Sequence, residues 1–294
     1  MLKRIPIKPG NVINRPIKFP AGIALPPYFK TGKAPPSYQA PMAIYKLDSP
    51  ILRAIRTAGG MAAEGREFVA SLVKPGMTTE DLDCELTDFY LKEKSVYPSP
   101  INYMGFPKSL CSSVNDVMVH GIPDDRVLQK GDLVSLDVSC FVGGVHGDNC
   151  TTVACGGEEG LDKSAQNLLI KGRECFNGAI QVCGPGVPIQ RIGQFVSSYC
   201  RQHGLDTNRD FCGHGLGPYM HMQPLVLHCD NDEQEVMRPG MVFTIEPIIS
   251  ERSAESGTTW RDGWTVPTKD GSWTVQFEHT VLITEHGYEV LTIC

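Results

Sequence analysis

Residues 131–155 read GDLVSLDVSCFVGGVHGDNCTTVAC, and they decide the fold. Leu133, Ser135, Asp137 and Ser139 fall on one face of a strand; Val134, Leu136, Val138 and Cys140 fall on the other. Gly143-Gly144 suits a two-residue hairpin turn. That turn pairs Val142 with Val145, and so Ser139 with Asp148. Asp137 and Asp148 then share a face as diagonal neighbours, about 7–8 Å apart at the backbone. Carboxylates this close repel unless one is protonated or a cation lies between them. A shared divalent ion is the economical solution.

The same grammar returns downstream. LQKGDLVSLD at 128–137 resembles MRPGMVFTIE at 237–246, each with a Gly six residues before its carboxylate. Pro75 and Pro185, each before a helix-breaking Gly, are 110 residues apart, and Asp137 and Glu246 are 109 apart. Two copies of helix–break–helix–hairpin follow from this spacing. Helices are expected from Ser49-Pro50 to about Lys74 and from Thr78, in a capping box with Asp81, to about Lys94. A second pair is expected over about 162–183 and 188–203. Glu246 is expected mid-strand beside Thr244 and Val242. Glu278 is expected on the face of Gln276, Thr274 and Thr280, with Phe277, His279 and Val281 opposite. Mid-strand carboxylates are disfavoured by β-propensity. One alone would simply face water, but four in repeat-related strands favour a common metal site. The fold class is α+β, with two pseudo-twofold halves.

Histidines add nitrogen donors. His214 and His221 lie in FCGHGLGPYMH, whose glycines allow close backbone approach. His120 precedes Gly-Ile-Pro much as His221 shortly precedes Gln-Pro. Each of the three could equally be an ordinary surface or core histidine. His279 faces the apolar side in this register, and His146, His203, His228 and His286 are expected in turns or near helix ends, without a role.

The composition bounds the rest. In 294 residues, 41% are hydrophobic and 20% charged, which fits a globular chain. No apolar run approaches a membrane span of about 18 residues, and the N-terminus lacks the apolar stretch of a secretory signal. Eleven scattered cysteines without a C-x-x-C pair imply reduced thiols, a cytoplasmic setting and no cysteine zinc site. Residues 1–47 carry eight Lys/Arg, no Asp/Glu and nine of the 22 prolines; the remainder is acidic, so the body as a whole is no nucleic-acid-binding surface. The first 47 residues are read as an extended basic arm and residues 48–294 as one catalytic domain. The arm could dock on ribosomal RNA or another acidic partner, address the chain to an organelle, or wrap on its own body, which is the simplest reading.

Taken together, Asn115-x-x-x-x-His120-Gly-Ile-Pro, Asp137, His146-Gly-Asp148, Gly213-His214-Gly-x-Gly-x-x-x-His221, Phe243-Thr-Ile-Glu246-Pro and Gln276-Phe-Glu278-His-Thr resemble the type 1 methionine aminopeptidases of the pita-bread metallopeptidase superfamily. The resemblance spans about residues 48–294. It is nearer the eukaryotic form, at Ser99-Pro-x-Asn-Tyr103, but lacks the N-terminal zinc module. Met222-Gln223 stands where the common bacterial form has two glutamates, which implies altered pocket detail and retained chemistry. The resemblance implies two divalent ions, bridged by Asp148 and Glu278, with Asp137 completing one shell and His214 and Glu246 the other. Cobalt, manganese, iron and zinc all suit this donor set. It further implies removal of the initiator Met from peptides and nascent chains with a small second residue, by a bridging hydroxide. Glu246 would shuttle the proton, while His120 and His221 would contact substrate. Tyr103, Phe106, Cys111, Met220 and Trp264 would wall the Met socket, although ordinary core packing would use the same residue types. The expected partners are nascent-chain N-termini, with the ribosome through the arm and no membrane; the chain is expected to act as a monomer. Two competing readings are a Pro-directed (X-Pro) peptidase of the same fold, which usually carries a large extra N-terminal domain, and a non-catalytic pita-bread binding module.

Overall fold

A computed structural model describes residues 4–34 and 40–294. The parts of the arm at 1–3 and 35–39 lie outside the described residues.

Each half opens with a helix pair. Helix α1 (Pro50–Leu72) starts where the Ser49 side chain accepts from the Leu52 N–H and Pro50 occupies the first turn. Helix α2 (Thr79–Asp88) starts in the Thr78/Asp81 capping box. In the second half, α3 (Lys163–Gln181) is capped by Asp162, and α4 (Gln190–His203) ends at left-handed Gly204. The expectation of regular helix to Lys94 is corrected. The chain widens into a π-helical turn over Phe89–Lys94. Phe89, Tyr90 and Leu91 are all buried there. A regular α-helix would fan three consecutive side chains around its axis, so the wide turn lets all three reach the core.

Strands Leu133–Val142 and Val145–Ala154 form the expected hairpin, with Val142 opposite Val145 and Ser139 opposite Asp148. Gly143 and Gly144 both take positive φ in its turn. The second copy replaces that turn by the long connection 251–273, so that strands Ile248–Ser250 and Thr274–Gln276 pair at its base. Beyond them, Val242–Ile245 pairs with His279–Ile283 in a separate five-stranded sheet.

Glu246 and Glu278 therefore sit at the breaks where each chain passes between two sheets. This corrects their expected mid-strand placement. A break frees the side chain from the ladder's fixed alternation and lets it turn inward. Glu278 and Cys150 exchange backbone hydrogen bonds of 2.9 and 3.3 Å. Thr280 Oγ1 donates to the Asp148 carbonyl at 2.8 Å, and Thr152 Oγ1 to that of Gln276 at 2.8 Å. The two halves are stitched together at the level of the carboxylates.

Helix α1 lies backbone-to-backbone on the strand that carries Asp148. A Cβ on Gly147 would stand 2.2 Å from the Ala58 carbonyl oxygen and 2.8 Å from the Gly59 nitrogen. Asn149 Nδ2 donates to the Ala62 carbonyl at 3.1 Å across the same contact. Since the obstacle is backbone, Gly147→Ala is expected to cost about 1–3 kcal/mol and to displace the adjacent Asp148. A melting temperature equal to wild type in calorimetry would contradict this packing.

The described arm wraps on the body. Arg4 pairs with Glu251 at 2.9 Å and with Asp162, and lies 3.9 Å from the centre of the Trp273 ring. The amides of Ile7, Gly10 and Asn11 donate to Asp116, Asp124 and Asp125, and Arg15 reaches Glu80 at 3.1 Å. The charge split of the sequence is thus partly an internal interface. Among the described residues no helix is long and apolar enough to cross a membrane.

Candidate metal centre

Asp148, His214 and Glu278 offer ligand atoms that all lie within 4.8 Å of one another, the one such group among the described residues. His214 Nε2 stands 3.6 Å from Asp148 Oδ2 and 3.5 Å from Glu246 Oε1. Asp137 projects from the first hairpin between Cys111 and Cys150 on the neighbouring strands. The five expected ligands line one cavity of about 370 Å³. His120, His221, Tyr103, Phe106, Cys111, Met220 and Trp264 line it too, as do Ser139, Pro100 and Met104.

Its electrostatics call for a cation. Burial, reinforced by the neighbouring carboxylates, pushes Asp148 and Glu278 well above the ordinary carboxylate range. Burial pushes Asp137 up to about 7 and Glu246 up to about 8. Asp148 Oδ1 and Glu278 Oε1 are buried without a hydrogen-bond partner, so their lone pairs are free for an ion. The set of carboxylate oxygens and one imidazole nitrogen fits a divalent metal such as manganese, iron, cobalt or zinc.

The candidate ligand side chains are also oriented. His214 Nδ1 lies 3.1 Å from the Gly215 carbonyl. A carbonyl only accepts, so Nδ1 carries the proton and Nε2 faces the carboxylates with a free lone pair. Thr244 Oγ1 accepts from the His214 amide at 2.9 Å and donates to Glu246 Oε1 at 2.7 Å. Gln276 Nε2 is 3.4 Å from Glu246 Oε2. The backbone N–H of Glu246 donates to His228 Nε2 at 3.1 Å.

Two histidines expected to have no role lie against this centre; His228 is in a bend as expected, whereas His146 is in a strand. His228 is buried beneath Glu246. His146 is a buried strand residue whose Nδ1 meets Ser99 Oγ at 2.8 Å. Their placement depends on partners far away in sequence, and no local pattern marks it. His279 does face the apolar side, against Phe176, with Nδ1 2.8 Å from Thr292 Oγ1.

His221 Nδ1 lies 2.7 Å from the Tyr103 hydroxyl. Burial holds the His221 ring neutral, well below the usual imidazole range, and brings His120 down to about 4. His120 takes φ 57°, a left-handed conformation uncommon outside glycine. Its ring meets Trp264 and Phe211 edge-on at 5.8 and 5.5 Å.

These shifts fix the sign of a pH response for the metal-free protein. Buried histidines such as His120 and His214, lowered to about 4, gain stability as pH rises toward their unfolded value near 6.5. Asp137 and Glu246, raised to about 7 and 8, lose stability as pH rises through those values, because the folded state holds protons that the unfolded state has released. Above pH 6.5 only the carboxylates still act, so chelated protein is expected to lose on the order of 1–2 kcal/mol per carboxylate by about pH 8. Saturating Mn²⁺ should abolish the loss. Melting curves that are flat over this window in chelator would refute the buried charge cluster.

Residues 53–285 match metallopeptidase family M24. The chain is 40% identical over 293 residues to methionine aminopeptidase 1D, chloroplastic/mitochondrial, of Arabidopsis thaliana, a match covering 99% of this chain and 81% of that protein. It is 40% identical over 296 residues to methionine aminopeptidase 2 of Mycobacterium tuberculosis, covering 99% of each. The crystal structure of methionine aminopeptidase from Rickettsia prowazekii superposes with a TM-score of 0.81 at 34% identity, covering 86% of this chain and all of that one. With the family matched over most of the chain and relatives alike from end to end, the chain belongs to metallopeptidase family M24, among its methionine aminopeptidases.

Proposed function

We propose that the chain removes N-terminal Met from peptides and nascent proteins whose second residue is small, using two divalent ions. The observation that carries this is the single cavity where five donors meet an apolar socket. Asp137, Asp148, His214, Glu246 and Glu278 would hold the ions, which would polarise the scissile carbonyl and lower the pKa of the attacking water.

The remaining work falls to side chains. Glu246, braced by Thr244 and Gln276, takes the proton from the water and returns it to the leaving amine. In this reading the Tyr103 hydroxyl, 2.7 Å from His221 Nδ1, donates to it, so that Nε2–H is a neutral donor for the developing oxyanion. His120 holds the amide side of the substrate. Ions held there would offer a ligand position to a free terminal amine, which would favour chain ends. Phe106 and Trp264, edge to face at 5.2 Å, and Cys111 line one side of the socket, and Tyr103 and Met220 another; a thioether is well matched to such aromatic walls.

The test is a peptide panel with defined metals added back after chelation. Met-Ala-Ser should be cleaved and Ala-Pro-type peptides spared, with activity lost in chelator. Faster Ala-Pro cleavage would favour the X-Pro reading. Metal-loaded protein with no peptidase activity would favour a binding module.

The same reading extends to setting and partners. All eleven cysteines are free, which suits a cytoplasmic, reducing compartment, although relatives include organellar enzymes by name. Lys8, Lys18, Lys30, Lys33 and Lys46 line the arm and, among the described residues, have no carboxylate within 4 Å, which supports ribosome docking through the arm of a monomeric enzyme. Salt-sensitive co-sedimentation with ribosomes, abolished by reversing these charges, would test it.

A further inference from the structure

The turn that carries Tyr103 is strained. Asn102 and Met104, neither of them glycine, take φ of 58° and 50°, and Gly105 takes 85°. Non-glycine residues adopt this region rarely and hold it where surrounding structure compels them. The turn is closed by its own backbone bonds, Asn102 N–H to the Phe106 carbonyl at 2.8 Å and Phe106 N–H to that of Tyr103 at 3.0 Å, and the N-terminal arm packs against it. The arm's turn at Pro26–Gly32 closes with Phe29 N–H to the Pro26 carbonyl at 3.0 Å and Gly32 N–H to that of Tyr28 at 2.8 Å. Asn102 Nδ2 then donates to the Phe29 carbonyl at 2.8 Å.

Tyr28 sits at the centre of this clamp. It is 4% exposed, and its hydroxyl donates to the Ser99 carbonyl at 2.6 Å. Its ring meets that of Tyr103 edge-on, with centres 5.0 Å apart, and lies parallel to the His146 ring at 6.0 Å. Tyr28, Tyr103, His146 and His221 share a cavity of about 30 Å³, close to the volume of one water. His146 Nε2 is buried there without a partner.

We propose that Tyr28, carried by the N-terminal arm, is a positioning residue for His221 that acts through Tyr103. The Tyr28 ring fixes the Tyr103 ring, and the Tyr103 hydroxyl, 2.7 Å from Nδ1, holds the His221 ring; with that hydroxyl as donor, the ring proton of His221 sits on Nε2. Removing the Tyr28 ring enlarges the cavity beyond the one-water space already there and admits further water beside that bond. Water then competes for the Tyr103 hydroxyl, and the His221 ring loses both its orientation and its single tautomer. The arm thus completes the site. Only the kinetic consequence of this proposal rests on the aminopeptidase reading.

The experiment compares wild type, Tyr28→Ala, Tyr28→Phe, Tyr103→Phe and the Tyr28→Ala/Tyr103→Phe double variant. On Met-Ala-Ser, Tyr28→Ala should lower kcat at least about tenfold, as expected for a displaced catalytic group, with KM and bound metal nearly unchanged. Tyr28→Phe, which keeps the ring, should retain most of the activity. In the Tyr103→Phe background Tyr28→Ala should change kcat less than about twofold, because the path it acts through is already cut, while its effect on melting temperature stays the same. An equal kcat loss in both backgrounds, or none in either, would overturn the proposal. Nitrogen-15 NMR of the metal-free proteins supplies a readout independent of substrate. The His221 ring should be protonated at Nε2 in wild type and mixed in Tyr28→Ala, and an unchanged ring spectrum would also overturn it. Wild type that fails to cleave Met-Ala-Ser with any metal would sink the aminopeptidase reading alone, and the NMR comparison would still decide the role of Tyr28. If Tyr28→Ala does not fold, Tyr28→Leu carries the same expectations.

Discussion

Asp148→Asn is expected to lower turnover of Met-Ala-Ser by on the order of 10³-fold or more while leaving the fold intact. The substitution keeps the shape of a side chain that is 3% exposed and removes its charge. Bound divalent ions supply several kcal/mol of transition-state stabilisation, and each 1.36 kcal/mol is tenfold in rate. Asp148 lies at the heart of the candidate site, because it neighbours His214 at 3.6 Å and shares its cluster with Glu278. The same change should make the metal-free protein more stable above neutral pH. The Asp148, Glu278, Glu246 and Asp137 carboxyls all have pKa values raised by burial, and Asp148 adds to the rise at Glu278. Deleting one like charge relieves the others. Turnover measured at saturating metal, with melting curves in chelator, checks both halves. Near-normal turnover would contradict the ligand role, and a lower melting temperature in chelator at pH 8 would contradict the repulsion.

The part of this centre that is legible in the sequence is the part built by local geometry. Alternation of residues 133–142 and the Gly143-Gly144 turn determine which residues face each other, so strand periodicity alone brings Asp137 and Asp148 together. The repeat at 237–246 points to Glu246. What local pattern cannot encode is the meeting of the two hairpins. The exchange of backbone bonds between Cys150 and Glu278 joins segments more than a hundred residues apart. The interruptions at Glu246 and Glu278 follow from that join, which is why the sequence alone suggests continuous strands there. His228 is invisible for the same reason: its partner, the Glu246 amide, is chosen by tertiary packing. The arm is half legible. Its basic charge against an acidic body implies attraction, and the wrap through Arg4, Arg15 and three backbone amides is that attraction made specific. Nothing in its proline-rich text shows that Tyr28 reaches the back of the active site.

His221→Ala separates chemistry from metal binding. His221 lies beside the His214 ring, with centres 4.2 Å apart, yet among the described residues no carboxylate lies within 4 Å of its ring nitrogens, whereas His214 has two. Its Nδ1 is engaged by Tyr103 and its ring is held neutral by burial. A neutral imidazole that accepts the Tyr103 proton at Nδ1 carries its own proton on Nε2, and a fixed donor aimed at a developing oxyanion contributes most in the transition state. Its removal should therefore lower kcat by about 10²–10³-fold, leave KM within a few-fold and leave the metal content unchanged. Asp148→Asn should instead reduce both turnover and bound metal. Loss of metal in step with activity in His221→Ala would place this histidine among the ligands. A drop in kcat/KM carried entirely by KM would make it a ground-state contact. The outcome turns on a bond 2.7 Å long to a tyrosine, since that bond leaves a single nitrogen free for the substrate.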